Sequence, residues 1–479
     1  MEHAIVKRNI KNNGVVYTPE YLVTTVLDSV GYKGKIILKK HIIDNSCGDG
    51  AFLVLVVDRY ITEFFKKSKD VRILKDELTK YVHGIELNIS EVEKCKDRLS
   101  KVAATHGVFN IHWDVKQGNT LECSQFNRTM DFVVGNPPYV RIHNLNTNYS
   151  SVKSGNFSKK GMTDLFIVFY EIGIQMLNNM GTLGYITPSS ILNSKAGKAF
   201  RKHIIENTMI KEIIDLRHFQ AFENFTTYTA IIILDKKNIS QEISYSIING
   251  ANEKPTFIDN LSYDSFNIDD CFYLGTNSDL NNLKTILRPK NTKNDFSVKN
   301  GFATLADWFF IKEKIDFFSS YTHRCLKGSN GKWYEIIFPY DKQGKILDFE
   351  KIEPELVKYF KTNENKLKNR SLEKESKWYG FGRSQAIKDM YSSKIALNTL
   401  VRTKNDLKIN SVKSGEGIFS GLYIIGNISL EKVIHILKND SFIKYVSMLG
   451  KYKSGGYYTF SSSDIKKYIS FCLEVEEKQ

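Results

Sequence analysis

Between residues 14 and 240, short apolar runs alternate with longer apolar-periodic stretches. HIIDNSCGDGAFLVLVV (41–57) reads as strand, glycine-rich turn and helix. VHGIEL (82–87) is a short apolar strand ending in an acid, and DFVVG (131–135) is a buried strand rich in Val and Phe. DLFIVFYEIGIQML (164–177) has the length of a helix, whereas TLGYITPSSIL (182–192) and YTAIIILD (228–235) read as strands. In GVVYTPEYLVTTVLDSV (14–30), Thr18 as N-cap and Pro19 at the first helical position predict a helix start. Asp164, just before the 165–177 run, is expected to cap it. Strands and helices in alternation predict a doubly wound α/β sheet.

Beyond about residue 240 the periodicity weakens. WFFIKEK, KWYEIIFPY and GLYIIGNI are short strand-like pieces among lysines and aromatics, which predicts a second, α+β or mostly β domain. The expected division is residues 1–244 and 245–479. The polar stretch 141–163, rich in Ser, Asn and Lys, reads as a mobile loop beside the run that precedes it.

Composition narrows the class. A chain of 479 residues implies two domains, and 42% hydrophobic residues is ample for packed cores. No apolar run approaches the roughly 18 residues that span a bilayer, and MEHAIVKRNIKNN lacks a signal-peptide core, so a cytoplasmic protein is expected. The six cysteines are scattered without a C-x-x-C pair or a His cluster; reduced core thiols are expected, and no metal. The net charge of +15 favours a polyanionic partner, although an AT-rich genome also yields lysine-rich chains.

The strongest chemical signal is the loop that leaves the 131–135 strand, Asn136-Pro137-Pro138-Tyr139. Two prolines fix the backbone and remove two donors. What remains is a rigid set of acceptors, the Asn136 side-chain oxygen and nearby carbonyls, beside an aromatic ring. Such a site suits a planar group carrying an NH2: adenine, cytosine or a glutamine amide. Upstream, Asp44-Asn45-Ser46-Cys47-Gly48-Asp49-Gly50 is a glycine-rich turn without the spacing of a dinucleotide or Walker loop, and Glu86 ends the next strand, where a carboxylate accepts ribose hydroxyls. Together they suggest a nucleoside cofactor lacking a pyrophosphate; S-adenosylmethionine fits.

The ordered series GVVYTPE, DNSCGDGAF, GIEL, GNTL, GNPPYV, DLFIVFYE, GTLGYITPSS and AFENFTTYTAIIIL resembles the gamma-class (TaqI-like) adenine-N6 DNA methyltransferases, the type II restriction-modification methylases. The likeness is dense over 14–235 and thinner in GFATLADWFFIK, WYGFGRSQAI and YKSGGYYTFS. It implies a Rossmann-like S-adenosylmethionine-dependent α/β sheet, followed by an α+β target-recognition domain. By resemblance, Tyr17, Thr18 and Pro19 cover the methionine end of the cofactor. Asp44, Cys47, Gly48 and Gly50 form the cofactor turn and Glu86 holds the ribose. Asn119, where the family usually carries Asp, accepts from the cofactor's adenine amine beside Thr120. Asn136 and Pro138 also border the cofactor.

On the substrate side, the Asn136 oxygen and the Pro137 carbonyl would accept the hydrogens of the target amine. Tyr139 and Phe222 would stack on a flipped base, with Phe225 as the alternative. Arg141, Lys153, Arg383 and Arg402 are the expected DNA contacts. The resemblance implies double-stranded DNA as partner, a monomer, no membrane and a separately encoded cognate endonuclease. A bifunctional restriction enzyme would carry a nuclease ahead of Tyr17, where few residues stand. The rival substrates are protein glutamine, structured RNA and the cytosine-N4 position; cytosine enzymes more often have Ser in place of Asn136. A non-catalytic DNA-binding relative is disfavoured by the intact Glu86, Asn136 and Tyr139.

Overall fold

The computed structural model describes residues 17–140, 155–157, 164–222, 227–288, 295–316, 319–374 and 376–477. The chain forms two compact units, 1–281 and 282–479.

In the first unit, nine described strands form one sheet. They are β1 (Ile42–Asp44), β2 (Val82–Glu86), β3 (Asp114–Gln117), β4 (Met130–Gly135), β5 (Leu177–Pro188), β6 (Ile210–Asp215), β7 (Thr229–Asp235), β8 (Glu242–Ile247) and β9 (Thr256–Ser262). Their order is β3-β2-β1-β4-β5-β7-β6-β8-β9. The pairs from β3 to β5 are parallel, and β7 enters antiparallel between β5 and β6. The order reverses between β1 and β4, where Asp44 lies opposite Val134. Crevices at the carboxyl ends of such a switch point are where open α/β sheets bind ligands.

The short apolar runs become central strands because helices cover both faces. Along β1, Ile42 packs into one core cluster and Ile43 into the other; along β4, Phe132 and Val134 face one cluster and Val133 the opposite one. On the first face lie α1 (Glu20–Ser29), α2 (Ala51–Lys67), α3 (Val71–Tyr81) and α4 (Ile89–Thr105). On the second lie α5 (Leu165–Met176) and α6 (Lys198–Glu206). Nearly all of α5 is buried, including Glu171, whose carboxylate accepts the backbone N–H groups of Asn156 (2.8 Å) and Phe157 (3.0 Å).

Three local expectations differ from what is found. Thr18 does not cap α1: the helix begins at Glu20, and the Pro19 carbonyl accepts from Leu22 and Val23 without a side-chain cap. Asp164 occupies the cap position of α5 but makes no side-chain capping bond there. The expected division at 244/245 falls inside the first unit, because β8 pairs with β6, and β9 with β8. The polar run 141–163 lies outside the described residues except for 155–157.

The second unit is α+β, as its mixed pattern suggests. One sheet pairs 296–300, 422–426, 394–397 and 409–412; another pairs 311–312, 332–337, 322–327 and 417–419. Helices at 354–362, 430–437, 440–448 and 462–477 accompany them. WFFIKEK is not a simple strand. Phe309 and Phe310 are both fully buried, which neighbours on one strand rarely achieve when only one face is covered, and they lie in a helical turn, Asp307–Phe310. Rings of Phe302, Phe310, Phe338, Tyr340 and Phe381 interlock in this core.

Gly184 in β5 marks a close approach of α1: a Cβ there would stand 2.5 Å from Val30 Cγ1 and 2.8 Å from Val26 Cγ1. Gly184→Ala is expected to destabilise the protein by about 1–3 kcal/mol, read by thermal or urea unfolding. An unchanged midpoint would mean that α1 does not press on β5.

Candidate active site

The turn after β1 is built to bring backbone close to a ligand. Gly48 and Gly50 have φ of +52° and +91°, which L side chains rarely adopt. A Cβ on Gly50 would also meet Cys95 Sγ at 2.7 Å. Asp44 is buried at the end of β1, and its Oδ1 accepts from the Ser46 N–H at 3.0 Å. Glu86 at the end of β2 closes the turn from the side: its Oε2 accepts from the Gly48 N–H (3.0 Å) and its Oε1 from that of Asn88 (2.9 Å). Each carboxylate oxygen has a second lone pair, so both backbone bonds leave acceptors for a diol. Asp49 pairs with Arg98 of α4, which pins the outer side of the turn.

The second wall is the loop after β4. Gly135 lets it pass directly over the turn, since a Cβ there would lie 2.8 Å from Asp44 Oδ1. The Asn136 Nδ2 donates to Thr18 Oγ1 at 3.1 Å, while its Oδ1 is buried and has no partner. Tyr139 is half-buried; its hydroxyl donates to the Ile186 carbonyl at 3.2 Å, and burial pushes its pKa well above the usual phenol range.

Not every expected residue faces this crevice. The Cys47 side chain is buried beside Gly84, so only its backbone borders the turn. Asn119 caps the helical turn Thr120–Glu122, its Oδ1 accepting from Leu121 N and its Nδ2 donating to Glu122. Thr120 is buried and donates to the Asn45 carbonyl at 2.5 Å, supporting the turn from beneath. Tyr17 is 60% exposed, and the charges of Glu91, Lys94, Asp49 and Arg98 lie close enough to act on its hydroxyl. Phe222 is buried in the core, its ring edge-to-face with Tyr139 at 6.5 Å and 80°. The two rings therefore do not form a parallel sandwich here; Phe225 lies outside the described residues.

Of the expected DNA contacts, Arg141 and Lys153 also lie outside the described residues. Arg383 spends its guanidinium on the carbonyls of Ser371 (2.6 Å) and Gly382 (3.0 Å), which props a loop of the second unit. Arg402 is exposed, with its guanidinium over the Tyr457 ring.

Two supporting residues escaped the sequence reading. Asn45 is fully buried, and its Oδ1 accepts from Tyr185 Oη of β5 at 2.9 Å. This bond ties the first turn to the strand on the far side of β4.

Residues 37–222, which hold β1, β4 and both walls of the crevice, match the family model described as Eco57I restriction-modification methylase. This segment is similar to the methylase domains of that family. Over 262 residues the chain is 29% identical to the type II methyltransferase M.BstVI of Geobacillus stearothermophilus, covering 50% of this chain and 45% of that protein. It is 22% identical to the type II restriction enzyme and methyltransferase RM.Eco57I of Escherichia coli over 477 residues, covering 78% of this chain and 48% of that protein. The chain thus spans about half the length of these curated relatives. In fold it is similar to the Type IIL restriction-modification enzyme MmeI, solved in complex with DNA, with a TM-score of 0.62 and 14% identity over 97% of this chain and 65% of that one.

S-adenosylmethionine is the cofactor that this likeness implies. The crevice fits it: two glycines in left-handed conformations, a third that a Cβ would fill, and two buried polar atoms without partners, Ser46 Oγ and Asn136 Oδ1. No group of three or more His, Cys, Asp or Glu residues arranged for a metal exists among the described residues.

Burial, reinforced by Glu86 and Asp49, raises the Asp44 carboxyl to about 8. The folded first unit therefore holds a proton that the unfolded chain releases at the ordinary carboxylate pKa. The Asp44 contribution to stability falls as pH rises from about 4 to 8 and is fully lost only above the folded value. Asp44→Asn, which cannot ionise, should lack this loss, so the melting temperature of the ligand-free variant should gain on the native chain between pH 5 and 8. Parallel melting curves across that range would show Asp44 ionising normally.

Proposed function

We propose that this protein is a site-specific DNA adenine-N6 methyltransferase, acting on a flipped-out adenine within a short duplex sequence as the modification enzyme of a restriction-modification system. The observation that carries this reading is the Asn136 oxygen, a buried acceptor with no partner at the mouth of a rigid Asn-Pro-Pro-Tyr loop. Leaving such an atom unsatisfied costs about 1–3 kcal/mol. A planar amine supplies the missing hydrogen. The names of the relatives support the restriction-modification setting, and the MmeI complex supports DNA as the partner.

S-adenosylmethionine supplies an electrophilic methyl group on a sulfonium. The chain's residues do the rest. Gly48, Gly50 and Glu86 would hold the cofactor through the turn, and Thr18 and Pro19 would cover its methionine end. Asn136 Oδ1 and the Pro137 carbonyl accept the two hydrogens of the adenine amine, whose lone pair is otherwise delocalised into the ring. Accepting both hydrogens draws that nitrogen toward a tetrahedral geometry, and preorganised acceptors stabilise the positive charge that develops on it. The nitrogen would take the methyl group as its bond to the sulfonium sulfur breaks, and would shed one proton to water. Holding the amine in one fixed orientation would supply much of the remaining acceleration. Tyr139 offers an aromatic wall to the extruded base, and Phe222 would have to turn from its edge-on position to offer a second. The second unit, with a chain total of +15 behind it, serves as the DNA-reading module.

Cytosine-N4 or glutamine-amide transfer would use the same acceptors; the resemblance of the second unit to a DNA recognition domain and the Asn at position 136 favour adenine. Long-read modification sequencing of plasmid DNA from a methylation-deficient host expressing this chain decides. N6-methyladenine in one sequence context is the expected result; modified cytosine would move the target base, and unmodified DNA would overturn the proposal. Asn136→Ala should lower transfer by roughly a hundredfold or more, as removal of a preorganised acceptor does, with cofactor binding by calorimetry retained. Loss of cofactor binding in parallel would make Asn136 a structural residue.

A further inference from the structure

Asn136 can serve the reaction in only one of its two amide orientations. An oxygen turned toward the target amine accepts a hydrogen; an NH2 turned there meets two donors head-on. Oxygen and nitrogen of a carboxamide are nearly the same size, so packing does not choose between them, and hydrogen bonding must. The structure supplies the choice through a residue 118 positions away, because Asn136 Nδ2 donates to Thr18 Oγ1 at 3.1 Å while Oδ1 stands buried and unpartnered.

Resting on the reading of the site as an amine methyltransferase, we propose that Thr18 is a positioning residue for catalysis: its hydroxyl oxygen holds the Asn136 amide with the acceptor facing the substrate amine. Three observations support it. Thr18 is released from the helix-capping role its sequence context predicts, since α1 begins at Glu20 with no side-chain cap. The loop that carries Asn136 is stiffened by Pro137 and Pro138, so the side-chain amide is the main remaining freedom. Donation from Nδ2 to an acceptor also draws electron density toward Oδ1, which strengthens it as an acceptor in the transition state.

The arrangement joins the two halves of the site. Thr18 stands next to Pro19 at the head of α1, the segment expected to lie over the cofactor, and its bond runs to the loop expected to hold the base. A displacement of Thr18 would release the amide, so ordering of the α1 head and orientation of the acceptor are one event.

The test compares Thr18→Val, Thr18→Ser and the native chain by single-turnover methyl transfer to plasmid DNA at saturating S-adenosylmethionine. Cofactor affinity is measured separately by calorimetry, and the melting temperature monitors folding. Thr18→Val should lower the transfer rate by about ten- to a hundredfold, the consequence of leaving Nδ2 without its acceptor. Because transfer is read at saturating cofactor, a change in cofactor affinity is scored separately from the rate, and Thr18→Ser should restore most of the rate. The fluorescence of 2-aminopurine at the target position, which reports base extrusion without needing the N6 amine, should be unchanged. A native rate in Thr18→Val overturns the inference. So does a defect confined to cofactor affinity, because Thr18 would then serve the cofactor alone. If the valine variant melts early, Thr18→Ala removes the hydroxyl without added bulk and is read in the same way. A native chain that methylates no DNA at all would defeat the methyltransferase reading itself, which is distinct from a difference between native and variant.

Discussion

The parallel pairing of β1 with β4 is the constraint on which the site depends. It sets Asp44 opposite Val134, so the turn leaving β1 and the loop leaving β4 rise side by side from the same sheet edge. Both strands are buried on both faces, and a slip of one residue would turn every side chain toward the wrong core cluster. Their register is therefore held by the packing of α1 to α4 on one side and α5 and α6 on the other. Gly135 completes the fit, because only a residue without a Cβ leaves room for Asp44 Oδ1 beneath it.

Around this junction, polar groups are spent in two ways. Most are satisfied inside the protein: Glu86 on Gly48 and Asn88, Asn45 on Tyr185, Thr120 on the Asn45 carbonyl. These bonds hold the turn rigid. A few are buried and left open, Asn136 Oδ1 and Ser46 Oγ among them. A fold tolerates such atoms where a ligand completes them, and both lie at the switch point of the sheet. The elevated Asp44 carboxyl belongs to the same pattern, an acid kept protonated in a water-poor crevice beside two other acids.

The α/β order of the first unit was legible because its strands are short uninterrupted apolar runs and its turns carry glycine and proline. The Asn-Pro-Pro-Tyr loop, the glycine turn and Glu86 stand out for the same reason: their chemistry is local, and each pair of neighbours along the chain is also a pair in space. Residues whose surroundings come from elsewhere in the chain were harder to read. Thr18 looked like a helix cap because the sequence shows Pro19 beside it and hides Asn136. Arg383 was expected to contact DNA; its guanidinium donates to the carbonyls of Ser371 and Gly382, which the sequence does not announce. Phe222 was expected beside a flipped base, and its burial among core residues is a property of packing.

The sequence by itself determined the class of sheet, the acceptor-rich loop after β4, the glycine-rich turn after β1 and the basic balance of the whole chain, all of which are written in runs of a few residues. Only the tertiary structure decided that β8 and β9 extend the first unit's sheet past residue 244, that Asn45 and Tyr185 brace the turn, and that the Asn136 amide is oriented through Thr18. The physical reason is range. Turn chemistry and hydrophobic period are set by adjacent residues, whereas a hydrogen-bond partner for a buried side chain is chosen by which strands and helices the core brings together.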